Sequence, residues 1–353
     1  MNKVLFATVL LTIISTTSFA ENKQIQPEPN QLTVQQLLQK FAESRQNMNS
    51  YVIDGLTDAK FTNSRDNYNG TMYIKFSFRY GGNRNKTTQY IWGDVGRTPN
   101  LSESQANYSS ALWDGDSLYS YNRGKPSEPG MVVITNAKDK NFKIENTNLV
   151  KYSYSGEVNG YHWGDGVTID KLLINNSETL KLREKREAIR GADCFVIEAV
   201  VKGRGKYTIW IDPVHDYHIA KIHVQRRAND HIGQNKLGAT DYSNETFEVI
   251  RFQRVGDAWF PEVCKFKHNS YYYKNLAIAE TNIKFTNCLF NPDHEALKSF
   301  STDDIPNGTA VNLCALPPSG QKFTWRDGKV IDKNDKEVDL GKLEAQSKKT
   351  QRN

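Results

Sequence analysis

The sequence lacks the motifs of the most common nucleotide and zinc enzymes. It contains no Walker loop, no Gly-x-Gly-x-x-Gly after a strand, no His-Glu-x-x-His and no Cys-x-x-Cys. Neither sign of charge dominates: the 353 residues include 46 Lys and Arg and 40 Asp and Glu, which gives a formal net charge of +6. The basic residues form no stripe along the sequence. Nucleic acid is therefore not an expected partner. We predict no catalytic residue, no metal ligand and no cofactor, and hence a protein that is not an enzyme.

Long hydrophobic runs are missing except at the N-terminus. Lys3 precedes an apolar run over residues 4–14, and Ser18-Phe19-Ala20 forms a small-x-small cleavage site. This run is shorter than the roughly 20 residues that a membrane-spanning helix needs. Residues 1–20 are therefore predicted to be a cleaved signal peptide and 21–32 a polar linker. We expect a protein of the periplasm, or a secreted one.

Cysteine is rare, and its four copies are widely spaced, at Cys194, Cys264, Cys288 and Cys314. In an oxidising compartment they permit two disulfides in three possible pairings. Cys264 and Cys288 fall on neighbouring predicted strands, which favours a bridge between them. Four free thiols that pack as small apolar residues are an equally weighted alternative.

One amphipathic helix is predicted after the linker. Thr33 and Gln36 form a capping box, and the helix is expected to run to about Met48. Apolar residues repeat along it at helical spacing, at Val34, Leu37, Leu38 and Phe41. This apolar stripe must pack against another element.

Most of the remaining sequence alternates with the period of two that is typical of strands. The clearest alternation has its apolar face at Met72, Ile74, Phe76, Phe78 and Tyr80. Seven more strands are predicted at 180–188, 194–201, 206–212, 218–225, 246–255, 259–268 and 277–288. Their short connections exclude the crossovers that parallel pairing requires, so the sheet is predicted to be antiparallel. Residues 123–165 lack the pattern and are expected to be an insertion or a lid.

Three consecutive segments carry a family resemblance: GADCFVIE at 191–198, YTIWIDP at 207–213 and HIAKI at 218–222. They resemble the central hairpins of the LolA/LolB and RseB superfamily of exported bacterial proteins. The resemblance covers residues 33–290. It implies an α+β, mainly β fold in which a strongly curved antiparallel sheet wraps as a half-barrel around one or more helices. Residues 291–353 would then be a poorly structured extension with short strands and a disordered charged tail.

The same resemblance implies a lipid-binding function, with an apolar cavity that carries lipids or the acyl chains of lipoproteins, as in outer membrane lipoprotein sorting. Each buried methylene contributes about 0.8 kcal/mol to such binding. The candidate cavity residues lie on the helix and on one strand, at Val34, Leu37, Leu38, Phe41, Met72, Ile74, Phe76 and Phe78. Carriers of this superfamily close their cavity with a strand arginine. Arg79 and Arg251 are strand arginines here, and neither is assigned to that role.

Two alternatives remain open. An envelope-stress sensor of the same fold would bind protein partners, including envelope membrane proteins. A metal-dependent enzyme would use the cluster of Asp and His residues around one predicted turn, at Asp212, His215, Asp216, His218 and His223. Because Asp212-Pro213 is equally well explained as turn chemistry, the metal hypothesis is the weaker of the two.

Overall fold

The computed structural model describes residues 32–65, 68–93, 102–124, 129–137, 149, 156, 158–162, 165–314 and 322–340. The predicted signal peptide at 1–20, the linker up to residue 31, much of the segment 123–165 and the tail from residue 341 lie outside the described residues. In the described part of the chain, no helix is long and apolar enough to cross a membrane.

The described residues form two α-helices, and most of the others lie in β-strands. The helices are α1 (Val34–Ser44) and α2 (Ile169–Asn176). The strands of the first half are β1 (Ser50–Asn63), β2 (Tyr68–Gly81), β3 (Arg84–Gly93), β4 (Asn107–Trp113), β5 (Ser117–Arg123) and β6 (Met131–Asn136). Those of the second half are β7 (Ser177–Leu182), β8 (Glu187–Ile189), β9 (Ala192–Val201), β10 (Gly205–Asp212), β11 (His218–Arg226), β12 (His231–Ile232), β13 (Asn235–Lys236), β14 (Tyr242–Val255), β15 (Ala258–Tyr272), β16 (Asn275–Phe290), β17 (Ala310–Leu313), β18 (Phe323–Arg326) and β19 (Lys329–Ile331).

Helix α1 begins where the capping box predicts. The Thr33 hydroxyl accepts from the Gln36 amide, and the Gln36 side chain accepts from the Thr33 amide, so two otherwise unpaired backbone donors are satisfied. The predicted stripe of Val34, Leu37, Leu38 and Phe41 is buried. The α-helix ends at Ser44 and a 3₁₀ turn continues to Met48, so the predicted end includes both segments.

One open sheet of 17 strands contains almost all the strands. From one edge, β7 and β8 both pair with β9, and the order continues β10, β11, β14, β15, β16, β1, β2, β3, β4, β5, β6, β17, β18, β19. Only β12 and β13 form a separate small ladder among the described residues. The prediction of a mainly β, curved antiparallel half-barrel with helices is confirmed. The one parallel pairing in the described sheet joins β6 to β17.

Register divides the sheet into two faces, because residues directly opposite each other in a ladder share a face. The inner face carries Ile53, Phe76 and Phe78, together with Tyr207 and Arg226 further along the sheet. The outer face carries the alternate residues, including Asp54, Lys75 and Arg79. Helix α1 packs on α2 and approaches β7 and β11.

The C-terminal extension joins the sheet as far as residue 340. Strand β17 pairs with β6, and the predicted hairpin forms β18 and β19. These strands cover the outer face of β4 to β6 with a second apolar core, made of Tyr108, Tyr121, Val132, Ile134, Ile305, Val311, Leu313, Phe323, Trp325 and Val330. Strand β6 itself lies within the segment that was expected to be an insertion or a lid.

The favoured disulfide is wrong. Cys264 lies opposite Ile283 in the ladder of β15 and β16. Cys288 is therefore five positions further along β16, roughly 16 Å away at about 3.3 Å per residue, far beyond the reach of a disulfide. None of the four cysteines forms a disulfide; Cys194 and Cys264 are buried as the alternative predicts, whereas Cys288 is partly exposed and Cys314 is exposed.

Candidate functional site

Between β6 and α2, part of a loop contacts the inner face of the sheet through His162 and Asp165. We call its described residues, 156, 158–162 and 165–168, the crossing loop. It is folded on itself: the Tyr161 amide donates to the Gly156 carbonyl at 2.9 Å, and the Ile169 amide donates to the Gly160 carbonyl at 2.7 Å. Its described residues contact the inner face of the sheet at Tyr207, Arg226 and Glu245.

A fully buried charged cluster fixes this loop to the sheet. Arg226 of β11 donates from Nη2 to Asp165 Oδ1 at 2.9 Å and from Nη1 to Glu245 Oε2 of β14 at 2.6 Å. All three side chains have 0% exposure. Tyr207 of β10 donates its hydroxyl hydrogen to Asp165 at 2.9 Å. One guanidinium thus joins a carboxylate of the loop to a carboxylate of the sheet.

His162 supplies the second link between loop and sheet. Its Nε2 lies 2.8 Å from Glu245 Oε2, and because a carboxylate only accepts, Nε2 is the donor. Burial by itself raises the pKa of Glu245, but the charge of Arg226 and the hydrogen bond from His162 outweigh burial and lower it to about 2. Burial lowers the pKa of Arg226, but Glu245 and Asp165 more than offset this and raise it. The pair is therefore ionised across the ordinary pH range.

Arg45, just after α1, holds the other end of the loop. Its Nη1 donates to the Asn159 carbonyl at 2.8 Å, and its Nη2 donates to Asp170 Oδ1 of α2 at 2.6 Å. A Cβ at Gly160 would lie 2.4 Å from Arg45 Nη1, so a side chain there would displace the guanidinium. Burial lowers the pKa of Arg45, although Asp170 opposes that shift. The crossing loop is thus held by two arginines, the fully buried Arg226 and the partly buried Arg45.

The candidate cavity residues divide into two groups. Val34, Leu37, Leu38 and Phe41 are buried on α1, which lies against α2, β7 and β11. Ile74, Phe76 and Phe78 are buried on β2, and Met72 is partly buried. Both groups face the inside of the half-barrel, and the apolar cavity between them stays a prediction.

A groove of about 660 Å³ on the sheet includes one candidate residue, Phe76, in its wall. Its remaining lining mixes charges and hydroxyls, with Lys75 donating to Glu103 at 2.5 Å and Ser77 donating to Asp54. This chemistry differs from the predicted apolar cavity.

The Asp and His cluster around the β10–β11 turn forms no metal centre. His215 Nδ1 lies 2.6 Å from Asp212 Oδ2, while Asp212 Oδ1 accepts from the Val214 amide, as expected for turn chemistry. His218 is buried, and burial lowers its pKa to about 4. Nowhere in the described residues do three His, Cys, Asp or Glu side chains come together as metal ligands.

Sequence reasoning missed Arg226 and Arg45 and considered Arg79 and Arg251 instead. Arg79 is partly exposed, and Arg251 forms an exposed ion pair with Glu262. A signal for Arg226 was present, because it continues the inner-face alternation of Ile222 and Val224. Charged residues that fall in the apolar phase of neighbouring strands indicate a buried ion pair.

Comparison with known proteins gives distant structural neighbours. No family model and no curated protein matches the chain. A DUF1329 family protein from Desulfovibrio piger superposes with a TM-score of 0.40 at 9% identity, covering 76% of this chain and 98% of that one. A putative outer membrane lipoprotein-sorting protein domain from Vibrio parahaemolyticus gives 0.35 at 13% identity, covering 72% and 92%. The MucA/MucB complex of Pseudomonas aeruginosa gives 0.23 at 10% identity, covering 75% and 96%. The chain is similar to these structures, and at such TM-scores none of them carries an activity over to it.

Proposed function

We propose that this chain is a non-enzymatic binding protein of the bacterial envelope that carries lipids or the acyl chains of lipoproteins. The ligand would occupy the inner face of the half-barrel after the crossing loop has moved aside. The observation that supports this proposal most directly is the polar fastening of that loop over an otherwise apolar inner face. The structure is then the closed, ligand-free form.

The energies favour such an exchange. Buried ion pairs contribute little net stability compared with apolar packing of the same volume, because desolvation offsets their attraction. An acyl chain with about 14 methylenes gains on the order of 11 kcal/mol when buried, at about 0.8 kcal/mol each. This gain is large enough to offset the opening of a loop held by Arg45, Arg226 and His162.

Ligand capture tests the proposal. The full chain would be expressed in a bacterial periplasm, purified without detergent and examined by native mass spectrometry and by titration with a fluorescent fatty acid. We expect bound lipid or saturable probe binding. Protein that carries no lipid and ignores the probe would contradict the proposal, and capture of an envelope membrane protein in its place would favour the sensor alternative.

A variant of the loop fastening sharpens this test. Arg45→Met removes both hydrogen bonds to the loop region but keeps an apolar contact with the Phe41 ring, over which the guanidinium lies at 4.2 Å. We expect it to bind the probe several-fold more tightly. The control is Lys40→Met, which removes a cation from the same helix at a residue that lies over Tyr217. Equal probe binding by the two variants would show that the loop does not gate the site.

A further inference from the structure

The antiparallel order of the strands gathers their turns at two opposite ends of the sheet. Among the connections that join the eight neighbouring strands from β9 to β2, one end holds the turns after β1, β9 and β15 and the connection from β11 to β14, and we call it the first end. The second end holds the turns after β10 and β14. The charges at the two ends can therefore be compared directly.

The first end is basic. Its described turn residues, 63–65, 202–204, 227–241 and 273–274, hold six cations and two carboxylates. The cations are Arg65, Lys202, Arg204, Arg227, Lys236 and Lys274, and the carboxylates are Asp230 and Asp241. All six cations are exposed or partly exposed. The second end has the opposite sign: its turns at 213–217 and 256–257 hold Asp216 and Asp257 and no Lys or Arg.

Tyrosines accompany the cations at the first end. The β15–β16 turn presents Tyr273 with 77% of its surface exposed, and the Tyr272 and Tyr273 ring centroids are 4.1 Å apart. Tyr271 stacks on Tyr242 at 6.2 Å, and the guanidinium of Arg227 lies 5.8 Å from the Tyr242 ring centroid. Aromatic rings therefore lie beside the cations at the first end.

The turn that presents Tyr273 is chemically unusual. Tyr272 pairs with Asn275, so Tyr273 and Lys274 alone make the turn, with φ angles of 50° and 62°. Two-residue turns with positive φ at both positions favour Asn-Gly, and a bulky residue there is strained. The turn thus holds two bulky side chains where Asn-Gly would be favoured, and it displays one of them, Tyr273, to solvent.

We propose that the first end of the sheet docks on the surface of an anionic lipid bilayer, with Tyr273 in the interfacial layer and the surrounding cations on the lipid headgroups. Tyrosine favours the membrane interface because its ring is apolar and its hydroxyl is polar. Clustered Lys and Arg are attracted to anionic headgroups. The acidic second end is repelled by the same surface, so the charge asymmetry also fixes the orientation of the docked protein.

Vesicle binding tests the docking surface. Full-length mature protein would be sedimented with vesicles of phosphatidylcholine alone or of phosphatidylcholine with 30% phosphatidylglycerol. We expect binding to the anionic vesicles only, and its loss at high salt. Equal binding to both vesicles, no binding to either, or binding only to glycan fragments of the cell wall would overturn the proposal.

A paired set of turn variants excludes misfolding. Tyr273→Asn with Lys274→Gly installs the favoured turn residues, so we expect it to fold at least as stably as the parent while binding anionic vesicles at least fivefold more weakly, the loss expected for the lysine alone. The control changes the second end, where Asp216 and Tyr217 also have positive φ, 54° and 59°. Asp216→Asn with Tyr217→Gly should retain full vesicle binding. Equal binding by the two double variants would refute the assignment.

The docking surface is independent of the proposed carrier function. Titration with a fluorescent fatty acid in the absence of vesicles reports on the inner face, whereas sedimentation with vesicles reports on the first end. The variant of Tyr273 and Lys274 should therefore keep its fatty-acid binding. Loss of both activities together would contradict the separate surface.

Discussion

Removal of the Arg226 side chain is the perturbation for which the structure predicts the largest effect. Arg226→Met leaves Asp165 and Glu245 buried without their shared cation. Breaking a buried ion pair by removing one partner costs about 3–5 kcal/mol. Two charge-assisted hydrogen bonds are lost, at about 1.5–3 kcal/mol each, which gives a similar sum. We expect this loss in the free energy of unfolding at pH 7.5, measured by urea denaturation.

The loss should depend on pH with a defined sign. In the wild type the pKa of Glu245 is about 2, below its ordinary value of 4.5, so its contribution is present above pH 4.5 and disappears between pH 4.5 and 2. In the variant, burial without Arg226 raises the pKa of this carboxyl, so the folded variant loses stability as the pH rises. The difference in the free energy of unfolding between the wild type and the variant should therefore increase from pH 4.5 to pH 7.5.

Two comparisons decide whether the buried charges cause the loss. Adding Asp165→Asn and Glu245→Gln to Arg226→Met removes the unpaired carboxylates and should recover part of the lost stability. Arg251→Met removes an exposed strand arginine that is paired with Glu262, and should leave stability nearly unchanged. A loss below about 1 kcal/mol, a gap that is constant with pH, or a triple variant no more stable than the single one would refute the reasoning.

Three further outcomes follow from single sites. The pKa of His218 is about 4 in the fold, below its unfolded value of about 6.5. Urea denaturation should therefore show about 3 kcal/mol of stability that is present above pH 6.5 and is lost toward pH 4. His218→Gln should flatten this dependence of stability on pH. Gly55→Ala would place a Cβ 2.3 Å from a phenylalanine ring and 2.9 Å from a carbonyl oxygen. Thermal unfolding should show that this variant is less stable by about 1–3 kcal/mol. The control Gly93→Ala, whose Cβ would have nothing within 4 Å, should leave the stability unchanged. Asp304→Ala removes the carboxylate that bonds to the nearly buried ammonium of Lys86 at 2.5 Å. It should lower the free energy of unfolding by about 2–4 kcal/mol and speed proteolysis of the C-terminal extension. Unchanged cleavage would contradict the anchoring role of Asp304.

The fold was predictable where local rules decide the structure. Strict alternation over Met72 to Tyr80 identifies both the strand and its buried face, because a shift of one residue would expose the whole apolar set. Short turns such as Asp114-Gly115-Asp116 dictate antiparallel neighbours. Even so, the segment 180–188 is two strands, β7 and β8, which pair with different parts of β9. Sequence periodicity does not predict that this segment divides into two strands.

The site was less predictable because it depends on contacts between distant parts of the chain. Asp165 and Arg226 are 61 positions apart, and Arg45 and Asp170 are 125 apart. A lone Asp in an irregular loop carries no periodic signal, so the sequence does not predict that the loop contacts the inner face. The parallel pairing of β17 with β6 is missed for the same reason.

The two covers of the sheet differ in chemistry, and this difference indicates which of them opens. The C-terminal extension buries Phe323, Trp325 and Val330 on the outer face, at about 1.5–3 kcal/mol for each large apolar side chain. The described part of the crossing loop buries one aliphatic side chain, Val158, and is otherwise held by charged groups and hydrogen bonds. Water can solvate those polar groups when the loop lifts, whereas exposed aromatic rings gain no such compensation. Under the proposed carrier function, the crossing loop would therefore be the cover that opens for the ligand.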